Sequence, residues 1–81
     1  MAIVIISPEQ CRAARAWLDW KQEDLATAAG VSLSTVRDFE KQRRSPIANN
    51  ARALASALEN AGLRLIFASN GSPKGIERTD S

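Results

Sequence analysis

At 81 residues, with 44% hydrophobic and 25% charged side chains and a net charge of +2, the chain has the balance of one small globular unit rather than a disordered or membrane-embedded one. It lacks histidine and has a single cysteine, Cys11, which removes an imidazole base, a Cys/His catalytic pair, an ordinary zinc site and an internal disulfide. No cofactor, metal or enzymatic chemistry is therefore expected, and a unit this short, burying only about 60% of its unfolded surface, gains from association with a second copy.

Alanine-rich windows such as CRAARAWL and ARALASALENAG make the chain mainly helical by propensity. The opening AIVII is β-branched and bounded by Ser7 and Pro8, which predicts a short strand over residues 2–6. It is too short for a membrane span or a signal peptide, so a cytoplasmic protein is expected. Ser7, with Pro8 behind it and Gln10 three residues on, forms a helix start that runs to about Leu18. Cys11, Ala14 and Leu18 give that helix a narrow apolar face, with Arg12 and Arg15 between them. Cys11 reads as a small core residue.

A second, short helix is predicted over residues 22–29, with Glu23 and Asp24 in its first turn. Gly30 stops it with the left-handed backbone that a sharp turn needs, and Ser32 caps a third helix from Leu33 to about Lys41. RRSP is a loop because Pro46 disfavours helical geometry at Ser45. A fourth helix follows over about 47–61, with Ala51, Leu54, Ala55 and Leu58 at helical spacing and Gly62 past its end. LRLIF, residues 63–67, alternates as a strand, and the polar segment 70–81 holds a turn before IER, which is either a second hairpin strand or a tail. AIVII and LRLIF either pair within one subunit or add edge to edge across a two-fold axis.

Two short helices joined by a tight glycine turn, over about residues 22–41, form the arrangement of helix-turn-helix units, whose second helix enters the major groove of DNA. Such a unit needs apolar residues where its helices cross, and Leu25, Ala29, Val31, Val36 and Phe39 stand there, with small Ala26 at the closest approach. The eight residues 37–44 hold four basic and two acidic side chains. A solvated helix end accounts for such a cluster, but directly after a recognition helix it reads as phosphate clamps. Trp20 is expected to pack between the first two helices. Trp17 lies off the apolar face, where it covers the added strands, forms an interface or stays exposed.

WKQEDLATAAGVSLSTVRDFEKQRRSP, continued through ALASALENAG, resembles the XRE family of regulators, which includes phage Cro and repressor proteins and restriction-modification controller proteins. The likeness spans roughly Cys11 to Gly62, and Gln22, Ala26, Gly30, Ser32 and Glu40 match as a set. It departs at Lys41 and Gln42, where many members have a glycine, which predicts a longer exit from the third helix. The resemblance implies a mainly α, four-helix, lambda-repressor-like domain, here with short N- and C-terminal β-strands.

It also implies roles. Leu33, Ser34, Arg37 and Asp38 would reach base edges: arginine suits guanine, aspartate accepts from cytosine, and leucine touches a thymine methyl. Gln22, Ser32, Thr35, Lys41, Arg43 and Arg44 would meet phosphates, Thr35 alternatively a base. Asn49 and its neighbour Asn50 would contact phosphate or face solvent. Arg15, by itself a solvated surface residue, would form a structural ion pair with Glu40. The implied partner is double-stranded operator DNA, bound by a homodimer on an inverted repeat with half-sites about 34–36 Å apart. Such a regulator acts as repressor, activator or both, often on its own promoter, with RNA polymerase or a regulatory protein as a further partner. The alternative is an antitoxin or antiactivator, a protein-interaction module with secondary DNA binding, working through LRLIF and the polar tail.

Overall fold

The computed structural model of the chain describes residues 5–41 and 47–79. Helix α1 spans Pro8–Leu18, α2 Gln22–Ala29, α3 Leu33–Glu40 and α4 Ala48–Asn60; strands β1, Leu63–Phe67, and β2, Pro73–Arg78, follow. The domain is mainly helical, as the family resemblance implies, and carries a two-stranded sheet at its C-terminal end.

The helix ends follow from local chemistry. The Ser7 hydroxyl accepts from the Gln10 N–H at 3.0 Å, and Gln10 Oε1 accepts from the Ser7 N–H at 2.9 Å. This reciprocal capping box satisfies donors that the first turn leaves open. Asp24 does half of the same for α2, accepting from the Lys21 N–H at 2.8 Å. Gly30 ends α2 at φ 70°, and the Val31 N–H turns back onto the Ala26 carbonyl at 3.1 Å. Ser32 caps α3 by accepting from the Thr35 N–H at 3.1 Å. α3 stops at Glu40 with Lys41 as its C-cap; the longer exit expected from Gln42 onward lies outside the described residues.

The core lies where the four helices and β1 converge. Leu25 from α2, Val36 and Phe39 from α3, Leu54 and Leu58 from α4, and Leu63 from β1 are buried together with Cys11 and Ala14 from α1. Ala26 is buried at the α2 crossing, and Ala29, Val31 and Trp20 are half-buried against the same cluster. Each fully buried leucine contributes roughly 2 kcal/mol of transfer free energy. Trp17 projects from α1 with 48% of its surface exposed.

Of the strand expected over residues 2–6, residues 2–4 lie outside the described residues, and Ile5 and Ile6 form no strand. Ile6 enters the core instead. The partner of β1 is β2, antiparallel, so half of the polar segment 70–81 is a hairpin strand. Its connection is built locally. Asn70 Oδ1 accepts from the Ser72 N–H at 2.9 Å, Gly71 takes φ 89°, and the Ala68 N–H donates to the Ser72 carbonyl at 2.8 Å. Leu65 faces Ile76 and Arg64 faces Glu77, whose side chains pair at 2.8 Å on the exposed face. The α1 capping residue also anchors this hairpin, because Gln10 Nε2 donates to the carbonyls of Ile66 and Gly75, each at 3.0 Å. No helix among the described residues is long and apolar enough to cross a membrane.

Candidate nucleic-acid interface

The geometry of α3 is governed by its last residue. Glu40 is only 4% exposed, and an ionised carboxylate in that position needs a donor for each lone pair. Arg15 on α1 supplies two, Nε to Oε2 at 2.7 Å and Nη2 to Oε1 at 2.8 Å. Gln22 Nε2, at the start of α2, donates to Oε1 at 2.9 Å, and the Cys11 thiol to Oε2 at 3.1 Å. Arg15 Nη1 also donates to the Trp20 carbonyl at 3.0 Å, tying in the link between α1 and α2. One carboxylate thus joins the first three helices, and no buried side-chain nitrogen or oxygen among the described residues lacks a partner.

The electrostatics follow from these contacts. Burial pushes Glu40 toward its neutral form, but the hydrogen bonds from Arg15, Gln22 and Cys11 outweigh it and hold the carboxyl below its ordinary value. The bond to Glu40 raises Arg15 in turn, against the cost of its partial burial. Burial first, and then the neighbouring carboxylate, push the Cys11 thiol far above its usual range, so this thiol stays protonated and unreactive in the folded protein.

On the outer side of α3, Ser34 and Arg37 are exposed and lie one turn apart on the same face, while Leu33, Thr35 and Asp38 are half-buried beside them. At its N-terminal end the hydroxyls of Ser32, Ser34 and Thr35 cluster, Ser32 Oγ lying 3.0 Å from Ser34 Oγ and 2.8 Å from Thr35 Oγ1. Lys41 is exposed directly past the helix. Asn49 is exposed in the first turn of α4, where its Oδ1 accepts from Arg52 Nη1 at 3.4 Å. Arg43 and Arg44 lie outside the described residues. Gln22, assigned to phosphate from sequence, uses one amide hydrogen inside the protein on Glu40; the amide carries a second.

Besides the Gln22 amide, two members of the Glu40 network were missed by sequence reasoning. Cys11 is a hydrogen-bond donor as well as a core residue, and nothing in an apolar helix face signals that. Arg12 Nη1 donates to the main-chain carbonyl of Glu40. The signal there was legible: in CRAAR, Arg12 and Arg15 stand three apart on one helix and so address the same neighbour. Among the described residues no group of three or more His, Cys, Asp or Glu side chains is arranged to hold a metal ion.

A protein-family model described as helix-turn-helix matches residues 12–61, more than half of the chain. No curated protein matches it.

Proposed function

Because the chain belongs to the XRE-type helix-turn-helix family of DNA-binding regulators, we propose that it controls transcription as a homodimer on inverted-repeat operator DNA, its own promoter included. The observation that carries the proposal is the coupling of an exposed Ser34–Arg37 face to a helix end pinned by the Glu40 network. A side chain that reads a base must be held in place before it meets the DNA, since ordering it on binding lowers affinity.

In this reading Arg37 addresses guanine, with Ser34, Leu33 and Asp38 as the other base-edge residues. Ser32, Thr35, Lys41, Arg43, Arg44, Asn49 and the second N–H of Gln22 meet phosphates. A single module of this size reads few base pairs, and a two-fold pair reading half-sites about 34–36 Å apart supplies the remaining specificity. Repression follows from occluding polymerase and activation from touching it or a regulatory protein.

The test is a titration of duplexes that the wild-type protein selects from a randomised pool. Arg37→Ala should lose about 1–3 kcal/mol, most on the selected site. With about three phosphates neutralised per subunit, the slope of log affinity against log salt should be about −5 for the dimer. Salt-independent binding would refute the phosphate assignments. Equal, weak binding of every duplex by both proteins would favour an antitoxin-like or antiactivator-like interaction module instead.

A further inference from the structure

We infer that Arg12 is a positioning residue for DNA binding: from α1 it holds the last peptide plane of α3 and so steadies the end of the recognition helix. The inference rests on the DNA-binding reading above and adds to it a residue that touches no base.

Three helix ends set the argument. Both α1 and α2 finish on a left-handed residue, Asp19 at φ 57° and Gly30 at φ 70°, which folds the following amides back onto the last carbonyls. At α3 the residue in that place, Lys41, is right-handed, at φ −91° and ψ −1°. The last carbonyl of a helix has no partner within the helix, and among the described residues Arg12 Nη1 donates to that of Glu40.

The Glu40 carbonyl and the Lys41 N–H belong to one rigid peptide plane. Arg12 holds its oxygen side, and the bond from Lys41 N–H to the Arg37 carbonyl at 3.0 Å holds its nitrogen side. With both sides held, the last peptide plane of α3 and the Lys41 Cα are fixed in place. Arg15 cannot do this, since it engages the Glu40 side chain. One helix of arginines thus secures the same residue twice, by its carboxylate and by its main chain. Arg12 is itself exposed, so the bond lies at the rim, next to the first cation beyond the recognition helix.

The experiment compares wild type, Arg12→Ala and Arg12→Lys in two measurements. In the DNA-free protein, amide hydrogen exchange should accelerate in Arg12→Ala at Phe39, Glu40 and Lys41 alone, and Arg12→Lys, which still offers a donor to the carbonyl, should restore protection. On the selected duplex, Arg12→Ala should bind roughly five- to tenfold more weakly, the upper part of the range for one ordinary, solvent-exposed hydrogen bond, with the base preference at Arg37 unchanged and affinity largely regained by Arg12→Lys. Weakened binding with unaltered exchange would overturn the inference and make Arg12 a direct phosphate contact. Unchanged binding in Arg12→Ala would also overturn it, as would faster exchange throughout the protein, which marks a global role. If the wild type selects no duplex, the DNA-binding reading fails and the positioning role falls with it, whereas the exchange arm, which needs no DNA, still decides whether the cap exists.

Discussion

Replacing Arg15 with alanine should cost more than any other single change at the surface of this domain. Arg15 supplies two of the four donors on a carboxylate that is 4% exposed, and charge-assisted bonds contribute about 1.5–3 kcal/mol each. The Arg15 side chain is 18% exposed, so water can refill part of the gap, and Gln22 and Cys11 stay in place. These considerations put the loss at about 3 kcal/mol at neutral pH, near the lower end for breaking a buried pair. A domain of this size holds roughly 4–12 kcal/mol in all. The sign of the pH dependence separates this mechanism from simple loss of packing. In the wild type, Glu40 lies below its ordinary value of 4.5, so its stabilisation is complete above that value and fades as pH falls through the lower, folded one. In Arg15→Ala only Gln22 and Cys11 are left against the burial penalty, the largest single effect on Glu40, so the folded value rises above the unfolded one and stability should increase as pH falls through it. The gap between the two proteins should therefore narrow toward acid. Urea unfolding followed by tryptophan fluorescence at several pH values reads this directly. A difference below about 1 kcal/mol at pH 7, or one that stays constant from pH 7 to pH 4, would refute the reasoning. Should Arg15→Ala not fold, Arg15→Met combined with Glu40→Met removes both charges and should recover much of the loss.

Two further outcomes can be checked. Gly30→Ala should lower thermal stability by about 1–2 kcal/mol from backbone conformation alone, because φ is 70° and a Cβ there meets no atom within 4 Å; an unchanged melting temperature would show that the turn relaxes. Cys11 should react with iodoacetamide no faster than the protein unfolds, since its thiol is buried and held protonated beside Glu40, and rapid alkylation under native conditions would contradict that placement.

Much of the helical scaffold was readable because the signals were local. Ser7-Pro8-Glu9-Gln10 starts α1, Gly30 ends α2 and Ser32 opens α3, each through atoms within a few residues. The core positions Leu25, Val36 and Leu54 followed from helical spacing. The Arg15–Glu40 pair was available only through the family resemblance, since 25 residues separate its partners. β2 was only half legible: Pro73, Lys74 and Gly75 argue against a strand, and what makes one is pairing with β1. Ile5 and Ile6 err in the other direction: their strand propensity finds no pairing, and Ile6 is buried in the core while Ile5 is exposed. At the candidate interface, residue types suited to DNA were visible, but the commitment of the Gln22 amide and the Cys11 thiol to Glu40 depends on how three helices meet.

Gln10 gives the hairpin a gauge of its alignment. Its amide nitrogen reaches two carbonyls, Ile66 and Gly75, which stand opposite each other only in the observed pairing. A slip of one residue would turn Leu65 and Ile76 to the wrong face and would also take one acceptor away from the amide. Side-chain burial and a buried polar contact therefore reject the same misalignment independently. They do so across 56 and 65 residues of sequence, so the hairpin and the first turn of α1 brace each other in the folded domain, and loss of either end of the chain should loosen the other.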